Sequence, residues 1–387
     1  MSLSRTRMLR QVPHRLKAIF IVLVTTTVIS IVFICVFSKG EITPDPCPFL
    51  CVEKTLHRKS NDLTTLKQLS MNVQNNCGGV ANMIFRIASM YGIAKQTNRS
   101  PCLEHRCVAN YKTELYSTFH NLRTFPLKDD CSRADETEVR IPEKTSRYFE
   151  EVSGLKDYEN ADHVYLAHGY LQNHRYFHSL RNEIIELFAF SDEMKRAVDD
   201  YVSLKMFKTA EERASTKICV HLRGTDFITN KNHVMLPTDL EFTLSAIHFL
   251  TQKLQTKRTS IILFSEDDKL VRTAMERLKI TNTEAQVYYP TSLERLAYVE
   301  MGSRFCDHLI LTSSASTFGY WIGYLMPDDK QSHIYYNSLI FKPRRWSGPP
   351  QFVEANFFPA EWNRLLLIDR NTSTIEHQDR KQAGRHI

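Results

Sequence analysis

No two cysteines in this chain stand in C-x-x-C spacing. That removes the usual framework of a structural zinc site, which needs closely paired thiolates. Internal repeats and low-complexity tracts are also missing, which excludes the repeat architectures. A surplus of one charge is scarce too. Fifty Lys and Arg against 43 Asp and Glu leave a net charge of +7, much of it at the two ends. So slight a balance is no electrostatic footprint for nucleic acid, and no nucleic-acid partner is expected. Apolar material is plentiful: 42% hydrophobic and 11% aromatic over 387 residues. That suffices for an anchor plus two compact domains with real cores, and it is not a disordered composition.

The longest apolar run is Ala18 to Phe37, twenty residues without a charge. At about 1.5 Å per residue it spans roughly 30 Å, the thickness of a bilayer's hydrocarbon core. Arg5, Arg7, Arg10, Arg15 and Lys17 precede it, and only Lys39 and Glu41 follow closely. The positive-inside rule keeps residues 1–17 cytosolic and carries the rest across the membrane. A cleaved signal peptide is the competing reading, but its apolar region is usually shorter and ends in small residues. The expectation is a single-pass type II protein with a signal anchor at 18–37. Asn98-Arg99-Ser100 and Asn371-Thr372-Ser373 are glycosylation acceptor triplets, which suits a lumenal body. Of nine cysteines, Cys47 with Cys51 and Cys102 with Cys107 sit in polar stretches suited to disulfides. Cys219 reads as a buried free thiol in a core strand.

Residues 38–70 read as a stem, opening on Pro44, Pro46 and Pro48. The body divides into an N-terminal half, 71–210, and a C-terminal half, 211–370, with a polar tail at 371–387. Gly78 and Gly79 precede a helical pattern in which Met83, Ile84, Ile87, Ala88, Tyr91 and Ala94 share one face. A glycine loop before a helix start suits phosphate, and it also suits an ordinary turn. Asn82 is open to a second reading as a helix cap. Residues 162–168 read as a strand and 177–190 as a helix, while 106–128 and 136–151 carry no motif and are where acceptor-binding loops are expected. From Lys217 onward the order is regular. Strands at 218–222, 260–265, 286–289, 307–311 and 333–336 alternate with helices near 240–254, 268–278, 292–301 and 317–325. That alternation predicts a parallel sheet with helices on both faces.

Three stretches carry chemistry. Lys217 to Phe227, KICVHLRGTDF, is a buried strand running out into a turn with His221, Arg223 and Asp226. Ligands of open α/β sheets bind beyond the carboxyl ends of strands, so a planar, always charged guanidinium there suits an anion. A surface ion pair is the plainer reading. Leu263 to Asp268 ends a second strand in an acidic turn, where Asp267 either accepts from a base edge or caps the next helix. Leu311 to Leu325 places Ser316 and Thr317 where a strand gives way to a helix, a place for phosphate donors or for caps.

Together with residues 73–82, these stretches resemble the galactoside α1,2-fucosyltransferases and, more distantly, the α1,6- and protein O-fucosyltransferases. Ser316, Thr317, Phe318, Gly319 and Trp321 match the family's S-T-F-G-x-W block, Glu266 and Asp267 take the acidic positions of F-S-D-D, and Asn82 is retained after Ala81. The first family motif is H-x-R-R-x-D, and here its second arginine is Gly224. The single-arginine form is closer to the protein O-fucosyltransferases, which bears on acceptor and linkage more than on the donor. The resemblance implies an α/β, GT-B-like fold of two Rossmann-like domains facing a cleft, preceded by one transmembrane helix. It implies an inverting Golgi enzyme that moves L-fucose from GDP-β-L-fucose to galactose of a glycan acceptor. It further implies a donor site of Gly79, Asn82, His221, Arg223, Asp267, Ser316, Thr317 and Phe318. Arg223, Asp226 and His221 are the candidate catalytic residues; His221 either faces the site or is a buried, satisfied histidine. No D-x-D occurs in the chain, so a metal-free site and no cofactor are expected, with Arg223 neutralising the diphosphate. A fucosyltransferase acting on a protein hydroxyl or core glucosamine is the alternative, as is a catalytically silent lectin-like protein on the same fold.

Overall fold

A computed structural model describes residues 67–72, 78–104, 106–125, 127–128, 136–140, 155–167, 170–229, 235–255, 258–281, 285–342 and 352–378. The expected anchor at 18–37, Cys47, Cys51 and residues 73–77 lie outside them. No helix among the described residues is long and apolar enough to cross a membrane.

The described strands form two sheets. The first contains β1 (Gln68–Asn72), β2 (Ser100–Glu104), β3 (Leu127–Lys128), β4 (Glu136–Arg140) and β5 (His163–Ala167), in the order β3-β2-β1-β5-β4. All its pairs are parallel. The second contains β6 (Thr216–His221), β7 (Thr259–Phe264), β8 (Gln286–Tyr288), β9 (His308–Leu311), β10 (Ile334–Asn337), β11 (Asn363–Asp369) and β12 (Thr374–Gln378). Its order is β12-β11-β10-β9-β6-β7-β8, parallel except for the antiparallel β11–β12 edge. The expected parallel sheet is therefore present. Two boundaries differ from expectation: β1 begins before residue 71, inside the expected stem, and β12 occupies part of the expected polar tail.

Each sheet has a switch point where the strand order reverses, between β1 and β5 in the first and between β6 and β9 in the second. Such points leave a crevice outside the carboxyl ends of the two strands.

The helices are α1 (Val80–Gln96), α2 (Arg106–Thr118), α3 (Arg181–Leu187), α4 (Asp192–Lys205), α5 (Ala210–Ala214), α6 (Thr225–Thr229), α7 (Leu240–Leu254), α8 (Asp268–Thr281), α9 (Arg295–Phe305), α10 (Thr317–Tyr324) and α11 (Glu354–Phe357). Every residue of β7 is buried, as expected of a parallel strand covered on both faces. Ile218 and Val220 of β6 pack with Phe242, Ala246 and Leu250 of α7 and Val271, Ala274 and Leu278 of α8. Cys219 points to the opposite face and joins the larger core.

That larger core belongs to both sheets. Phe85 of α1 lies 4.5 Å from the Tyr320 ring and 5.1 Å from the Trp321 ring of α10. The Trp321 indole is fully buried, and its Nε1–H donates to the Ala81 carbonyl at 3.1 Å. The contacts gather residues 65–387 into one unit. Two sheets are present, as two Rossmann-like halves require, but α1 and α10 fuse their cores.

Cys219 is not a free thiol. It is bonded to Cys306, which follows α9, with the Cα atoms 5.7 Å apart. Sequence separation of 87 residues hid the pair, because only the β6–β9 register, with Ile218 opposite His308, brings the two together. Cys102 is also disulfide-bonded, and it lies in β2 instead of a loop.

Candidate functional site

The two switch points open onto one cleft of about 440 Å³. From the first sheet come Gly78 and Gly79 after β1, the first turn of α1, and Tyr170 and Gln172 after β5. From the second come Arg223, Asp226 and Phe227 after β6, Glu266 after β7, and residues 315–318 after β9. Seven residues expected from sequence therefore converge: Gly79, Asn82, Arg223, Asp226, Ser316, Thr317 and Phe318.

Arg223 is fixed from both ends. Its backbone N–H donates to Thr238 Oγ1 at 2.7 Å, and Thr238 Oγ1 lies 2.7 Å from Thr312 Oγ1. Thr312 in turn donates to the His221 carbonyl at 2.8 Å, locking the exit of β6 to the exit of β9. The guanidinium donates through Nε and Nη2 to the two Asp226 oxygens, both at 2.8 Å, and through Nη1 to Glu266 at 3.2 Å. Burial on its own would lower the pKa of Arg223, but the two carboxylates outweigh it and the net shift is upward. The cation is permanent, and Asp226 sets its plane.

Among the helices that start at the cleft, α1 and α10 lack a side-chain cap: Gly79 is the N-cap of α1, and Ser316 that of α10. By contrast, Ser191 caps α4 and Asp239 caps α7. The first-turn N–H groups of a helix have no partner within it, so two sets of donors face the cavity with the positive ends of two helix dipoles. The hydroxyl run before α10 divides. Ser313 and Ser314 donate to the carbonyls of Leu236 and Asn337, both at 2.8 Å, and so tie loops together, while Ser316 and Thr317 line the cleft. Asn82 is no cap; its Oδ1 accepts from Gln172 Nε2 at 2.6 Å, across the first switch point.

Two expected donor residues sit elsewhere. His221 is 3% exposed and lies behind Arg223, its ring 6.0 Å from that of Phe318. It is absent from the cleft lining and borders a small side pocket instead. The ring packs against Gly319, where a Cβ would come within 2.8 Å of Nδ1. Burial, helped by the Arg223 charge, pushes its pKa down to about 3. So weak a base, behind the cleft wall, is poorly suited to take a proton there. Asp267 is absent from the lining; its Oδ1 accepts from Leu270 N at 3.0 Å and so caps the start of α8. The same carboxylate explains Gly224. A Cβ at 224 would lie 2.6 Å from Asp267 Oδ2 and 3.3 Å from Leu270, so an arginine cannot be seated there without moving the cap.

The sequence reading missed Tyr170, Gln172 and Arg295 on the cleft wall. The first two follow a strand that was read, and the switch-point rule would have found them. Beneath Tyr170 the guanidinium of Arg86 lies 4.5 Å from the ring centroid. Arg86 is 1% exposed, and burial, partly offset by Tyr170, lowers its pKa to about 10. Arg295 begins a helix in a stretch without a motif and left no signal. Asn98 and Asn371 are both exposed, in turns after α1 and β11. Among the described residues no cluster of three His, Cys, Asp or Glu side chains could hold a metal ion.

A family model described as "Glycosyl transferase family 11" matches residues 103–342, which include the exits of β6, β7 and β9. The chain is 24% identical over 324 residues to the "Putative galactoside 2-alpha-L-fucosyltransferase svh-11" of Caenorhabditis elegans, covering 81% of this chain and 83% of that protein. It is 24% identical over 304 residues to a "Galactoside 2-alpha-L-fucosyltransferase" of the same organism, with 77% and 79% covered. Among solved structures, the apo form of POFUT1 superposes with a TM-score of 0.39 at 11% identity, over 68% of this chain and 96% of that one.

Proposed function

Because the chain belongs to glycosyl transferase family 11, we propose that it transfers L-fucose from GDP-β-L-fucose, with inversion, to a galactose hydroxyl of a glycan in α1,2 linkage. Family membership makes it a glycosyltransferase, and the two nematode relatives named as galactoside 2-alpha-L-fucosyltransferases support fucose as the group moved. The observation that carries the donor reading is the convergence of Arg223 and two uncapped helix starts on one cleft. As the glycosidic bond breaks, the departing diphosphate gains charge. Donors fixed in advance bind that state better than the ground state. Arg223 and the α1 and α10 N–H groups supply this without a metal. Asp226 orients Arg223, and a loose, dissociative path asks little of a general base.

A single-pass type II topology in the Golgi membrane, with the body lumenal, completes the proposal. The Cys219–Cys306 disulfide suits an oxidising compartment, and both acceptor asparagines are exposed.

The test uses the full chain in detergent with GDP-fucose and a panel of galactosides, glucosaminides and peptides. Transfer to the 2-hydroxyl of terminal galactose, retained in EDTA, is expected. Activity lost in EDTA and restored by manganese refutes the metal-free site. Transfer only to glucosaminide or peptide refutes the linkage, and GDP-fucose binding with no transfer to any acceptor marks a silent protein.

A further inference from the structure

Counted by charge, the cleft is poorly prepared for a diphosphate. Arg223 has its Nε and Nη2 committed to Asp226, and its Nη1 faces Glu266. Two carboxylates thus surround one guanidinium, and Gly224 supplies no neighbouring arginine. The cleft wall holds a second arginine, Arg295. It is the first residue of α9, where the helix dipole disfavours a cation. Its side chain crosses to α2. There Nε donates to Glu114 Oε1 at 2.6 Å and Nη2 pairs with Oε2. The guanidinium lies 5.1 Å from the centroid of the Tyr111 ring. Tyr111 itself donates to the Gly78 carbonyl at 3.0 Å, so the same helix face holds both the glycine loop and Arg295. Burial works against the charge of Arg295, but the Glu114 hydrogen bond is the larger effect and Glu266 adds to it, so the net pKa shift is upward.

We infer that Arg295 is the second donor-binding cation of the cleft, exchanging Glu114 for a phosphate oxygen when a nucleoside diphosphate binds. The inference rests on the donor reading above. Side-chain exposures of 43% for Arg295 and 22% for Glu114 leave the pair within reach of water and of an incoming anion. A diphosphate carries more charge than one carboxylate and takes the same planar fork. Glu266, 67% exposed and making one contact with Arg223, is more easily displaced still. The bridge then works as a placeholder: it keeps Arg295 extended across the cleft mouth until the anion replaces the carboxylate.

Calorimetric titration of the full chain in detergent with GDP and, separately, with guanosine tests this. Arg295→Gln should weaken GDP binding about 10- to 100-fold, the range for a lost charge-assisted hydrogen bond, and leave guanosine binding unchanged. Arg295→Lys should fall between. Glu114→Gln should bind GDP as tightly as the parent or a few-fold tighter, because the competing carboxylate is gone. A purely structural bridge predicts the contrary, with both Gln variants weakening GDP binding alike, and that result overturns the inference. So does Arg295→Gln binding GDP at parental affinity. If the parent protein binds no GDP, the donor reading fails first and takes this inference with it.

Discussion

Replacing Arg223 by alanine removes more than one hydrogen-bond donor. A preorganised donor of this kind is worth roughly 10²–10³ in rate. The substitution also strips the counter-charge from Asp226 and Glu266, which then face the incoming diphosphate. Two unit charges 4 Å apart interact by roughly 4 kcal/mol at an effective dielectric of about 20. Asp226 is 46% exposed and Glu266 67%, so water screens most of that, and about 1 kcal/mol, or a further factor of about five, remains. The expected fall in kcat/KM is therefore about 10³-fold or somewhat more, near 4 kcal/mol of transition-state stabilisation. Arg223→Lys should recover little, since a lysine ammonium is a point charge without the planar fork that grips both Asp226 oxygens along one edge while the other edge faces the cleft. The discriminating variant is Arg223→Ala with Asp226→Asn, which should regain about twofold over Arg223→Ala by removing one of the two stranded charges. Initial rates of labelled-fucose transfer to a galactoside measure all three. If Arg223→Ala keeps more than a tenth of parental kcat/KM, the guanidinium does not act on the leaving group. If Asp226→Asn adds no recovery, Asp226 is not the residue that sets the charge balance.

Gly224→Ala should cost about 1–3 kcal/mol in urea unfolding through the clash with Asp267; most of that cost should vanish when Asp267 is also alanine, and a cost-free Gly224→Ala would refute the contact. Acid should destabilise the protein through His221. Its folded pKa is depressed to about 3, so the unfolded chain takes up a proton near pH 6.5 that the folded chain refuses. Stability present above pH 6.5 is then lost as pH falls towards 3. The loss is about 2 kcal/mol at pH 5 from this residue alone, and His221→Gln should flatten the difference between urea melts at pH 7 and pH 5; an unchanged difference removes His221 as the cause.

The second sheet was legible because its chemistry repeats. Parallel strands buried on both faces read as unbroken aliphatic runs such as Ile261-Ile262-Leu263-Phe264, and the expected helix at 240–254 coincides with α7. The first sheet was legible only at β5, which the strand expected at 162–168 matches. Strand β2 contains Pro101, β4 alternates Glu136, Glu138 and Arg140 with Thr137 and Val139, and β3 has two residues. Strands of that kind are specified by their neighbours in the sheet instead of by their own composition. α4 was missed although its Met194, Val198 and Val202 stripe is regular; Ser191 with a following acidic turn is a start signal that sequence alone offered. Cys219 failed as a free thiol for a geometric reason, since its partner arrives only with the β6–β9 pairing.

The site divides along the same line. Residues at the ends of the second sheet's strands were found because a parallel sheet delivers the exits of adjacent strands to one place, whatever lies between them in sequence; Tyr170 and Gln172 at the end of β5 were not. Residues that act through space were not. Asp267 had two readings of equal standing, and only the 3.0 Å bond from Leu270 N shows it in the cap role. That cap then decides what position 224 can hold, because its carboxylate fills the space where a side chain would start. An arginine missing from a linear motif is thus a statement about volume beside β6. The charge it would have supplied has to be sought on the cleft wall, and Arg295, reaching over from the start of α9 to a carboxylate on α2, is where the fold holds one.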